Sequence, residues 1–189
     1  MNTNSTFLVV DNVIAAQVPK AAEAFKQIIN DFDTIIEIGY HRGAFSKWIY
    51  QNKKESSKFI TYDIFDDARQ IFDKEIDFRV KDCFDEKTVQ EIKSLIQNSK
   101  KVLLLCDGGN KISEFNLYSA FLKSGDVIML HDYHDASLPE SYEDFVGPNW
   151  GSGPESHYVG IQKAVNENKL EKYKYDIFRT VIWGSFIKI

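Results

Sequence analysis

A chain of 189 residues with 43% hydrophobic and 27% charged side chains has the size and composition of one folded domain with a sizeable core. Its formal charge of −5 argues against nucleic acid as a bulk partner. No apolar run approaches the roughly 20 residues of a spanning helix, and MNTNSTFLVVDNVIAAQ lacks the basic region of a signal peptide. Two cysteines, Cys83 and Cys106, make neither a disulfide framework nor a CxxC motif, so both are expected reduced and buried, with the protein in the cytoplasm and no membrane partner.

Residues 1 to 18 carry little signal beyond FLVV at Phe7 to Val10. Pro19 opens a predicted helix to about Asn30, with Ala21, Ala22, Phe25, Ile28 and Ile29 on one stripe. The stretch TIIEIGYHRG, Thr34 to Gly43, then reads as a buried parallel strand running into a helix that carries Phe45, Trp48 and Ile49. A second strand, KFITYDIFD, reaches Asp63, and DDARQIFDKE reads as a short helix. A third strand, DFRVKDCFD, carries Asp82, and EKTVQEIKSLIQN reads as a helix. KVLLLCDGG is a fourth strand ending at Asp107, followed by a helix from about Ser113 to Lys123. DVIMLHDY is a fifth, ending at His131 and Asp132. Residues 134 to 160 are long enough to be a lid or substrate-binding insert, with Tyr142, Phe145, Trp150, His157 and Tyr158 as candidate contacts. A helix from about Tyr158 to Asn168 and two strand-like runs, KYDIFR and TVIWGSFIKI, suggest a closing antiparallel hairpin at a sheet edge. Strands alternating with helices in this way imply a single α/β domain with a doubly wound, mostly parallel sheet.

Glu37, Asp63, Asp82, Asp107 and Asp132 fall at or just past the ends of successive strands. Carboxylates gathered on one rim repel each other unless a cation or a hydroxyl-bearing ligand meets them. Asp63 lies about 20 residues beyond Gly43, the offset at which nucleotide-binding βαβ units present an acid to ribose hydroxyls. The loop GYHRG is not the bare G-x-G-x-x-G that lets a pyrophosphate approach, so a nucleoside without phosphates fits better than NAD or FAD.

EIGYHRG with Asp63, Asp82 and Asp107 resembles the motif series of class I S-adenosylmethionine-dependent methyltransferases. Gln17 and Pro19 (a Q-x-P helix start), the D-G after the fourth strand and the GDVI-like fifth strand resemble the branch of cephalosporin hydroxylase-like, rhamnosyl and macrolide-sugar O-methyltransferases. The resemblance covers roughly residues 17 to 135 and implies a seven-stranded Rossmann-like sheet. It implies a cofactor site of Glu37, Gly39, Tyr40, Arg42, Gly43, Asp63, Ile64, Asp82, Cys83, Phe84 and Asp107. Within it, Glu37, Gly39 and Gly43 would shape the turn around the methionine moiety, Asp63 would meet the ribose, and Asp82, Cys83 and Phe84 would border the adenine. Arg42 is a candidate partner for the methionine carboxylate.

The same resemblance implies a Mg²⁺ between ligands ending the fourth and fifth strands, here Asp107, His131 and Asp132, where the histidine departs from the family pattern. A histidine could favour a transition metal, or point away and leave Asp107, Asp132 and Asn110 as ligands. The implied reaction is methyl transfer to oxygen of a small hydroxylated acceptor, such as a sugar, natural-product or aromatic hydroxyl. Lys111 and His134 are the alternatives for the catalytic proton acceptor. A nucleotide- or sugar-nucleotide-dependent enzyme and a non-catalytic cofactor-binding module remain as alternatives, and homo-oligomerisation is left open.

Overall fold

The computed structural model describes residues 7–66, 69–71, 73–133 and 155–189, with residues 155–159 described for backbone only. The chain opens on a hairpin of β1 (Val9–Val10) and β2 (Val13–Ile14). Asp11 and Asn12 turn it with φ of 50° and 64°, the two left-handed positions of a tight hairpin turn. Helix α1 (Pro19–Lys26) follows, with proline at its start, and then β3 (Thr34–Ile38) and α2 (Ala44–Asn52). Strands β4 (Lys58–Asp63) and β5 (Asp77–Val80) lead to α3 (Glu86–Asn98), which is capped by the Asp85 side chain. Next come β6 (Val102–Cys106), α4 (Lys111–Ser119), β7 (Val127–His131) and α5 (Glu155–Glu167). The chain closes with β8 (Leu170–Lys172), α6 (Tyr175–Phe178) and β9 (Trp183–Lys188).

Among the described residues one sheet has seven strands in the order β5-β4-β3-β6-β7-β9-β8. The first five pair in parallel, and β9 runs antiparallel to both β7 and β8. The order reverses between β3 and β6, and the open crevice for a ligand in such a sheet lies at the carboxyl ends of these two strands.

Strands β3, β6 and β7 are buried along their whole length, yet their side chains still alternate between two cores. Ile35, Leu103, Leu105, Val127 and Met129 pack with α1, α2 and α6. Ile36, Ile38, Leu104, Cys106, Ile128 and Leu130 pack with α3, α4 and α5. Phe25 on α1 makes edge contacts with Phe45, Phe178 and Trp183, with ring centres 5.2–5.3 Å apart. These contacts bind the first helix to the last strand.

Two expected elements differ. DDARQIFDKE is not helical at its described residues 66, 69–71 and 73–75. There the backbone N–H groups of Gln70 and Ile71 donate to the carbonyl of Arg42, and the Tyr40 hydroxyl donates to the carbonyl of Ile71. Pairing with the 40–43 loop replaces the helical bonds, and Ile71 is buried as a plug. KYDIFR is not a strand: residues 175–178 form α6, and the hairpin strand is Leu170–Lys172. The helix places Phe178 in the core against Phe25. The proposed insert falls mostly at 134–154, outside the described residues, with His134, Tyr142, Phe145 and Trp150. His157 and Tyr158 lie in α5, where only backbone is described.

Candidate active site

The loop after β3 sets the geometry. Gly39 has φ of +104°, and a Cβ there would lie 2.3 Å from the carbonyl oxygen of Asp107. Only a bare backbone lets the ends of β3 and β6 approach this closely. Gly43, with φ of +86°, caps α2, and a Cβ on it would strike the Tyr40 ring. Asp63 holds the loop between these glycines: its Oδ2 accepts from the backbone N–H groups of Tyr40 and His41, each at 2.8 Å.

Two cavities open on either side of this contact, and Gly39, His41 and Asp107 line both. The larger, about 490 Å³, lies toward β4 and β5 and is lined by Asp63, Ile64, Phe65, Asp82, Cys83, Phe84, Asn110 and Glu114 among others. The smaller, about 150 Å³, lies toward β7 and is walled by Ala15 to Gln17, Tyr40, Arg42, Phe45, Lys111, His131 and Asp132.

The larger cavity has an apolar rim, with Ile64, Phe65 and Phe84 all more than 40% exposed. Asp82 accepts from the Phe84 N–H at 2.8 Å, a local turn that sets the direction of the 82–84 segment. Burial pushes the Cys83 thiol up to about 12, so it lines the cavity as a neutral group, and both cysteines are free and buried. Glu114, buried at 1% exposure, accepts from the N–H groups of Gly108 and Asn110 at 3.3 and 3.2 Å and fixes the loop after β6. Burial raises its carboxyl to about 7, against the lowering effect of those N–H donors. Sequence reasoning missed it. Its signal was an Asn110 helix cap followed by an acid that reaches back to the cap's N–H, one residue later than in the usual capping box.

The smaller cavity is crowded with charge. His131 Nδ1 lies 2.9 Å from Asp107 Oδ1 and 3.4 Å from Asp132 Oδ1. Lys111 Nζ lies 3.1 Å from Asp132 Oδ2. Gln17, also buried, donates from Nε2 to Asp107 Oδ2 at 2.9 Å. Its amide polarity is set from behind, because Trp183 Nε1, which can only donate, bonds Gln17 Oε1 at 2.8 Å. Burial disfavours the His131 imidazolium, but the charges of Asp107 and Asp132 outweigh it and raise its pKa above the ordinary value. Lys111 behaves alike: burial is overcome by Asp107 and Asp132, so it is held as an ammonium. Asp132 itself sits at φ of 56°, a left-handed conformation that costs energy in a non-glycine residue and is frequent at functional sites.

The sequence-predicted residues thus divide. Gly39, Asp63, Ile64, Asp82, Cys83, Phe84 and Asp107 share the larger cavity, while Tyr40, Arg42, Gly43, Lys111, His131 and Asp132 line the smaller one. Glu37 lines neither. As the fourth residue of β3 it turns toward α2, where Ser46 donates to its Oε2. Burial raises its pKa to about 8, more than the Ser46 bond lowers it, with the Asp107 and Asp63 charges adding to the rise. His134 lies outside the described residues.

A divalent ion does not fit the side chains as they stand. Among the described residues no three His, Cys, Asp or Glu groups are placed to hold a metal. The ammonium of Lys111 already occupies Asp132, and two unit charges about 4 Å apart near a surface repel by roughly 4 kcal/mol, doubled for a divalent ion.

Comparison with known proteins bears on the whole chain. CmcI with Mg and SAM superposes with a TM-score of 0.65 at 14% identity, covering 96% of this chain and 76% of that one. A Staphylococcus aureus protein described as a caffeoyl-CoA O-methyltransferase gives 0.62 at 12% identity, covering 89% and 83%. MycE of the mycinamycin biosynthetic pathway, in complex with Mg, SAH and mycinamycin VI, gives 0.55 at 14% identity, covering 90% of this chain and 48% of that one. No curated protein sequence matches. The family model for FtsJ-like methyltransferases matches residues 18–132, more than half of the chain. The chain belongs to that family and is an S-adenosylmethionine-dependent methyltransferase.

Proposed function

We propose that the chain methylates an oxygen of a small hydroxylated acceptor, with S-adenosylmethionine in the larger cavity and the acceptor in the smaller. One observation carries the reading: the two cavities meet over Gly39, His41 and Asp107, so ligands in them face each other across a single backbone contact. The solved O-methyltransferases of the same fold support the oxygen acceptor, and the MycE complex supports a small molecule.

On this reading Asp63 keeps a lone pair on Oδ1 for ribose hydroxyls beyond those taken by Tyr40, His41 and Phe65. Ile64 and Phe84 give the adenine an apolar surface, beside Asp82 and Cys83. Gly39 and Asp107 border the methionine end, with Tyr40, Arg42 and Gly43 behind the loop. S-adenosylmethionine supplies, when bound, an electrophilic methyl group on its sulfonium. The chain's own residues hold the acceptor in line for attack, which is the largest service an enzyme offers such a displacement. Asp132, strained at the end of β7, accepts a hydrogen bond from the acceptor hydroxyl and can receive its proton. Lys111, held as an ammonium, steadies Asp132 and the charge that develops on the acceptor oxygen. Gln17 and His131 fix Asp107 between the two cavities.

A thermal-shift screen of S-adenosylhomocysteine against NAD and UDP-sugars tests the assignment. Stabilisation by S-adenosylhomocysteine alone is expected, and stabilisation by NAD or a UDP-sugar alone would overturn it.

A further inference from the structure

We infer that the acidic pair ending β6 and β7 works without a hard divalent ion such as Mg²⁺, because side-chain donors of this chain already engage its carboxylates. The inference rests on the proposed acceptor site but concerns a different property of it.

Three side-chain donors reach the four carboxylate oxygens of the pair within 3.4 Å, with one His131 nitrogen shared by two of them. Asp107 Oδ1 faces His131 Nδ1 at 2.9 Å, and Asp107 Oδ2 accepts from Gln17 Nε2 at 2.9 Å. Asp132 Oδ1 lies 3.4 Å from the same His131 nitrogen, and Asp132 Oδ2 lies 3.1 Å from Lys111 Nζ. One His131 nitrogen thus lies within 3.4 Å of both carboxylates. A hard cation such as Mg²⁺ wants near-octahedral oxygen ligands and gives up its waters reluctantly, whereas His131 presents an imidazole nitrogen.

The donors are not loosely placed. His131 and Gln17 are 3% and 1% exposed, and the His131 ring lies against Trp183 with centres 4.9 Å apart. Trp183 also fixes the Gln17 amide, so one buried indole braces two of the three donors. Lys111 begins α4 directly after its Asn110 cap, which anchors the third. Replacing this set by a metal requires moving a braced ring and expelling an ammonium.

The test uses the full-length protein and Mn²⁺, an oxygen-seeking ion visible by electron paramagnetic resonance, with Mg²⁺ competition. Wild type, with or without S-adenosylhomocysteine, is expected to show no saturable Mn²⁺ binding below about 1 mM, weaker than ordinary carboxylate sites for hard cations. The double variant His131→Glu/Lys111→Ala, which opens Asp132 and adds an oxygen ligand, is expected to bind at least about 10-fold more tightly. Saturable wild-type binding below that limit, abolished by Asp107→Asn, would overturn the inference. So would a double variant that S-adenosylhomocysteine still stabilises but that gains no Mn²⁺ affinity. If the double variant does not fold, Lys111→Ala alone decides: a gain supports the inference, and no gain overturns it. Stabilisation of wild type by S-adenosylhomocysteine, read in the same samples, reports separately on the cofactor assignment.

Discussion

The rim of the sheet holds two pairs of acids in two different ways. On the side of the larger cavity, Asp63 and Asp82 accept from backbone N–H groups close by: Tyr40, His41 and Phe65 for one, Phe84 for the other. On the β7 side, Asp107 and Asp132 are held by the side chains of Gln17, Lys111 and His131. Backbone donors shape a loop and bring no charge of their own. Of the side-chain donors, Lys111 and protonated His131 bring charge of their own, and they make the second pair a preorganised electrostatic unit. The same residue type at equivalent strand ends therefore sits in two electrostatic settings, and the difference lies in what is brought to it.

Gly39 joins the two sides through its contact with Asp107. Gly39→Ala puts a Cβ against the backbone of Asp107 and a side chain at φ of +104°, so a loss of about 5 kcal/mol in denaturant unfolding is expected, with loss of S-adenosylhomocysteine binding.

Glu37 separates rim acids from a core acid. Its folded pKa of about 8 lies above its unfolded value near 4.5, so the folded state holds the extra proton between these limits. Stability linked to this group is intact below about pH 4.5 and is lost as pH rises toward 8. Glu37→Gln keeps the shape and removes the titration. The variant should therefore gain on wild type by about 4 kcal/mol between pH 5 and pH 8.5 in parallel urea melts.

Gln17→Met and Asp82→Ala compare the two sides directly. Gln17→Met strips a donor from Asp107 and an acceptor from Trp183, both buried, and should cost about 2 kcal/mol of stability while changing S-adenosylhomocysteine affinity less than about 3-fold. Asp82→Ala loses one exposed turn bond, should cost about 0.5 kcal/mol, and should weaken S-adenosylhomocysteine roughly 10-fold by calorimetry. If both variants moved stability and affinity together, the two sides would not be functionally distinct.

Legibility in the sequence follows the range of the forces involved. The parallel core was readable because β3, β6 and β7 are unbroken apolar runs, and Asp63, Asp82, Asp107 and Asp132 were readable because they punctuate strand ends. Glu37 looked like a fifth member, but side-chain alternation along β3 turns it onto the α2 face to meet Ser46. Gln17 stood out only as part of a motif. Its partners Asp107 and Trp183 are 90 and 166 positions away, and no local pattern encodes such contacts. The segment after β4 carried helical spacing, yet its backbone pairs with the 40–43 loop, a tertiary bond that overrides propensity. Residues 175–178 alternate like a strand but form a helical turn that seats Phe178 on Phe25.

The most direct measurement is a crystal structure with S-adenosylhomocysteine. Adenine is expected beside Asp82, Cys83 and Phe84, ribose hydroxyls on Asp63, and sulfur at the Gly39–Asp107 contact facing the smaller cavity. A ligand seated in the smaller cavity, or with its sulfur turned away from that contact, would contradict this placement.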